Sequence, residues 1–138
     1  MKRGAVGTVR GIAAAVLAAL FVAMAGTGLH RQVLPLAGVE VPWGVAAALM
    51  LLASVQLWLA AWSRSVIPTA VAGVVSYAVV GVLYSAGPAK QLVLGDAVGN
   101  VWVFGIAAVS LVMLVAASRL RTGRPAAAAV AAEPLSRR

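Results

Sequence analysis

The chain has 138 residues, of which 63% are hydrophobic and only 10% charged. Soluble domains are nearer half apolar and about a quarter charged, so one small water-soluble core is excluded and lipid has to cover most of this surface. There is no cysteine, which removes disulfides, thiolate catalysis and thiolate-held metals, and the formal net charge of +8 comes without any nucleic-acid-binding motif.

Lys2, Arg3 and Arg10 precede the first apolar stretch, residues 11–29. Three more follow, at about residues 43–62, 66–86 and 97–118, and none of the four holds a Lys, Arg, Asp, Glu or His. Each is long enough to cross about 30 Å of hydrocarbon at about 1.5 Å per residue. Backbone inside lipid has to satisfy its own hydrogen bonds, and these stretches lack the alternation of barrel strands, so helices are predicted. The first stretch also carries Ala23-Met24-Ala25, a small-residue pattern like a signal cleavage site. Its continuation to Leu29 favours an uncleaved anchor, with three spans and an external N-terminus as the alternative.

Residues 30–42, with two prolines and a glycine, are predicted to be a loop. Pro42 suits the start of the second helix. Ser63-Arg64-Ser65 is too short to do anything but fold helices two and three into an antiparallel hairpin. Pro68 falls in the first turn of helix three, Gly87-Pro88 ends it, and Asp96 is placed to cap helix four. Residues 121–138 are predicted to form a disordered basic cytoplasmic tail.

Lys and Arg placement sets the orientation. Nine of the eleven fall on one side: Lys2, Arg3, Arg10, Arg64, Arg119, Arg121, Arg124, Arg137 and Arg138. Arg31 and Lys90 fall on the other. The expectation is therefore an all-α membrane protein, a four-transmembrane-helix bundle with both termini in the cytoplasm, in a bacterial cytoplasmic membrane. Trp43 and Trp102 are expected near the outer boundary, and Trp58 and Trp62 near the inner one.

Close packing of small residues has to hold such helices together. Helix one offers Gly11, Ala15, Ala19, Ala23 and Thr27 at a spacing of four, and helix three offers Gly73, Tyr77, Gly81 and Ser85. The intramembrane polar residues are Ser54, Gln56, Ser76, Tyr77 and Ser110. They read as contacts between helices more readily than as the lining of a substrate path, and Gln56 needs partners for its amide.

An ion or proton pathway usually carries an ionisable residue inside the membrane, and the spans have none. One histidine and three separated acids form no zinc, phosphate-loop or paired-carboxylate motif. Gly26-Thr27-Gly28 lacks the strand–helix context of a nucleotide site and reads as packing. No catalytic, metal or cofactor residues are therefore expected, and no enzyme activity. One polar cluster stands out by topology. His30, Arg31, Glu40, Tyr84, Asp96 and Asn100 can converge on an outer rim, either as a shallow ligand site or as ordinary loop charge and capping.

The segments Pro42-Trp43-Gly44, Leu57-Trp58-Leu59-Ala60-Ala61-Trp62-Ser63-Arg64-Ser65 and Gly95-Asp96-Ala97-Val98-Gly99-Asn100-Val101-Trp102 resemble the small integral membrane proteins of actinobacteria that are grouped as uncharacterised. The likeness spans roughly residues 10–120 and is one of layout and alanine-rich composition. It implies four spans and an inner-membrane location, and no activity. The expected partners are the lipid bilayer and either another membrane protein, as for an accessory or scaffold subunit, or the chain itself, as for a small homo-oligomeric transporter or channel. Nucleic acid is not an expected partner.

Overall fold

The computed structural model describes residues 2–36, 38–85 and 97–122. Four helices run α1 (Lys2–Leu29), α2 (Trp43–Ser63), α3 (Val66–Ser85) and α4 (Ala97–Thr122). Each is long and apolar enough to cross a membrane. The predicted Gly87-Pro88 stop, the Asp96 cap and the tail beyond Thr122 lie outside the described residues.

Two helix ends differ from expectation. α1 starts nine residues earlier than its apolar stretch, and α4 runs to Thr122, into the segment read as tail. Hydropathy marks what suits lipid; it does not mark where a helix stops, and Lys and Arg are good helix formers. The link between α2 and α3 is as tight as predicted. Arg64 adopts the left-handed conformation (φ 51°), and its N–H donates to Ala60 O at 3.1 Å, which closes α2. Such a cap usually falls to glycine.

Residues 30–42 are more ordered than a loop. β1 (Leu34–Leu36) and β2 (Val39–Val41) pair antiparallel, with Leu34 opposite Val41, Pro35 opposite Glu40 and Leu36 opposite Val39. Gly38 turns the chain at φ +83°, a conformation costly for other residues. Opposed residues share a face. Leu34, Leu36, Val39 and Val41 therefore form one aliphatic face, with Pro35 and Glu40 on the reverse. All four aliphatics are exposed, by 41 to 65%.

In the bundle, α1 and α4 each pack against both α2 and α3, and α2 and α3 also touch, so α1 and α4 stand at opposite corners. The small-residue row of α1 faces inward as expected. Gly11, Ala15, Ala19 and Ala23 are buried and Thr27 is half-buried. Ala15 and Ala19 meet Leu59 and Ala72, while Ala23 joins Val22, Ala48, Leu52, Val80, Trp102 and Ile106 in a second cluster. The row proposed for α3 does not face inward. Gly73 is buried, but Tyr77 and Ser85 are exposed and Gly81 has open space beside it. Four residues turn a helix about 40° past a full circle, so a row starting at the edge of the buried face drifts out of it. The buried stripe of α3 is Thr69, Ala72, Gly73, Ser76 and Val80.

Candidate functional site

The polar residues of the spans separate into two groups. Ser54 is exposed, and its hydroxyl donates to Met50 O at 2.8 Å within its own helix. Tyr77 is also exposed. Gln56, Ser76 and Ser110 are buried. Gln56 Nε2 donates to Ser110 Oγ at 2.8 Å and ties α2 to α4. Thr69 Oγ1 donates to Gln56 O at 3.4 Å, and Ser76 Oγ donates to Ala19 O at 3.5 Å. The first of these joins α3 to α2 and the second joins α3 to α1.

Gly73 makes the Gln56–Ser110 contact geometrically possible. A Cβ there would lie 2.8 Å from Ser110 Oγ and 3.2 Å from Gln56 Nε2. Gln56 Oε1 is buried and has no hydrogen-bond partner among the described residues. Removing Ser110 would leave Gln56 Nε2 in the same state. Ser110→Ala is therefore expected to cost about 1 kcal/mol, near the middle of the range for interhelical bonds in lipid. Ser54→Ala is expected to change stability by less than about 0.5 kcal/mol, since it faces outward and bonds only its own helix. Unfolding of the two variants side by side in mixed micelles checks both values, and equal losses would contradict the assignment.

The rim residues predicted at the other end also separate. Tyr84 and Asn100 come together, with the Tyr84 hydroxyl donating to Asn100 Oδ1 at 3.5 Å. Arg31 and Glu40 are exposed on the loop and hairpin. Asp96 lies outside the described residues. His30 is not at the surface: it is fully buried. Its backbone N–H donates to Gly26 O at 2.8 Å, and its Nδ1 lies 2.6 Å from Thr27 O. A carbonyl only accepts, so Nδ1 carries the proton. The imidazole stacks on Trp102, with ring centroids 6.0 Å apart and planes inclined by 18°.

Trp102, expected near the outer boundary, differs from the other tryptophans in its burial. It is fully buried and reaches across the bundle from α4 to α1, lying over Gly26, where a Cβ would come within 2.7 Å of its ring carbon Cζ2. Trp43, Trp58 and Trp62 are exposed. Trp58 and Trp62, one turn apart, stack with centroids 5.7 Å apart and planes within 3°. Sequence spacing alone could not separate Trp102 from the other three, because a tryptophan near a helix end fits both a membrane boundary and a core.

Four apolar helices, each long enough to cross a membrane and tied together by buried polar contacts, fit a small multi-pass helical membrane protein. Comparison with protein-family models, curated proteins and solved structures finds no match to the chain.

Proposed function

We propose that the chain is a non-catalytic accessory or scaffold subunit of the bacterial cytoplasmic membrane, with both termini inside, which packs against the helices of another membrane protein. The carrying observation is the use made of its polar groups. Gln56, Thr69, Ser76 and Ser110 are buried in contacts between helices of the same chain. That arrangement favours a self-adhering bundle over a wet path through it. The hairpin supports the same reading. Its aliphatic face of Leu34, Leu36, Val39 and Val41 is left uncovered by the bundle beside it, as a surface for a partner is.

Purification of tagged full-length protein from native membranes in gentle detergent tests this. One partner in fixed ratio is expected, and it is expected to be lost from Val39→Glu, which puts a charge on the aliphatic face without touching the bundle. Recovery of the protein with itself alone overturns the reading.

A homo-oligomeric transporter or channel is the second reading. It draws on Gln56 Oε1, which has no partner among the described residues and lies in the amide held against Gly73 and Ser110. Those two residues line an apolar groove between α3 and α4, with Val74, Tyr77, Ala107 and Leu111. Flux through reconstituted vesicles that is abolished by Gln56→Leu would establish it.

A further inference from the structure

The end of the bundle that carries Arg64 holds a cleft of about 430 Å³. One wall is the first part of α1, with Gly7, Arg10 and Gly11; the other is the turn from α2 to α3, with Trp62, Ser65 and Pro68. The walls close at Gly11, where a Cβ would lie 3.1 Å from Pro68 Cγ. One helical turn earlier, Gly7 has nothing within 4 Å of the same position among the described residues. The cleft is open because α1 continues past the turn and two glycines leave its inner side bare.

We propose that this cleft binds the phosphate of an anionic phospholipid, with Arg10 as the charged contact and the Trp62–Trp58 face as the track for an acyl chain. The charge balance favours an anion. Arg10 lines the cleft, Arg64 stands on the adjoining turn, and Glu40, the one carboxylate among the described residues, is on the hairpin at the opposite end. The start of α3 contributes little by itself, because Ser65 Oγ already accepts from Ile67 N–H at 3.3 Å and Pro68 has no N–H. The recognition therefore rests on the guanidinium, which suits a phosphate better than an ammonium does. The Ser65 O–H adds a second donor.

Two features point to a lipid as the source of that phosphate. The cleft sits at the end of helices long enough to cross a membrane, at the level of headgroups. Its Trp62 wall continues along α2 to Trp58 as an exposed pair of indoles stacked with nearly parallel planes. Tryptophan sits well at that depth, with its ring against acyl chain and its N–H toward the headgroups. The site rests on membrane insertion but not on any protein partner, so its failure and that of the accessory-subunit reading are separable.

Native mass spectrometry of the full chain, released from micelles containing equal phosphatidylglycerol and phosphatidylcholine, tests it. The wild type is expected to retain phosphatidylglycerol in preference by about fivefold, the worth of one basic residue at an anionic surface. Arg10→Gln is expected to bring the ratio close to one. So is Gly7→Leu, which keeps every charge but fills the cleft from a position with room for a side chain. Arg64→Gln, outside the cleft, is expected to keep most of the preference. An unchanged ratio in Arg10→Gln or in Gly7→Leu overturns the proposal. So does an equal fall in Arg64→Gln, which would mean diffuse charge attraction. Inorganic phosphate at millimolar concentration is expected to leave the lipid in place; displacement by it overturns the lipid assignment in favour of a free anion.

Discussion

Replacing Gly44 by alanine is expected to destabilise the fold by about 2 kcal/mol, although alanine is the better helix former by about 1 kcal/mol. Gly44 is the second residue of α2 and is buried where that helix meets the end of α1. Its N–H donates to Gln32 O at 3.0 Å, and Gln32 N–H donates to Leu29 O at 2.9 Å. A Cβ on Gly44 would press on Leu29 O and lie 2.8 Å from Gln32 N. Both are backbone atoms and cannot rotate away, so either α2 moves off α1 or the Gly44–Gln32 bond breaks. Overpacking of this kind costs about 1–3 kcal/mol, and a lost buried hydrogen bond adds about 1; together they exceed the propensity gain. Gly28→Ala and Gly81→Ala are the controls. Neither position has anything within 4 Å among the described residues, so each is expected to gain up to about 1 kcal/mol. Denaturant titration of the three variants in mixed micelles measures the order, and a Gly44→Ala protein as stable as wild type would contradict it.

The four long apolar helices were legible because a stretch able to cross a membrane has a property that sequence records directly, about 20 consecutive residues without charge. The Ser63-Arg64-Ser65 link was legible for a similar reason, since three residues leave one geometry. The hairpin also left a signal in the sequence: Leu34, Leu36, Val39 and Val41 alternate with Pro35 and Glu40 on either side of Gly38. Proline does not bar a strand in a two-stranded sheet, where both strands are edges.

Other features were not in the sequence at all. Gln56 and Ser110 are 54 positions apart, and their meeting depends on how α2 turns toward α4. The cleft at Arg10 depends on α1 running on as helix past its apolar stretch. His30 shows the same limit from the other side. As a lone histidine after an apolar span it reads as loop surface, yet α1's last turn holds it in by its own carbonyls. Among helices of nearly uniform apolar composition, hydrophobicity hardly distinguishes one face from another. Shape at a few glycines decides the register instead.

Trp102 is where that register carries the largest side chain. Trp102→Ala is expected to cost about 3 kcal/mol, near the lower end for deleting a buried tryptophan. The lower end applies because lipid also solvates the indole in the unfolded state, so lost packing makes up most of the cost. Trp102→Phe is expected to cost only about 1 kcal/mol, the price of a smaller ring. The indole Nε1 is buried without a hydrogen-bond partner among the described residues, so the exchange to Phe gives up no bond. A tryptophan anchored at a membrane boundary behaves otherwise, since its N–H faces headgroups. Gly26 supplies the test of geometry. In the wild type, Gly26→Ala drives a methyl into the ring, where the Cβ would approach Cζ2 to 2.7 Å, and is expected to cost about 2 kcal/mol. Phenylalanine has no atom in the Cζ2 position, so in the Trp102→Phe background the same change is expected to cost about half as much. A coupling of about 1 kcal/mol in that double-mutant cycle assigns Trp102 to the contact between α4 and α1. Strict additivity would place the ring elsewhere, and the buried contact with it.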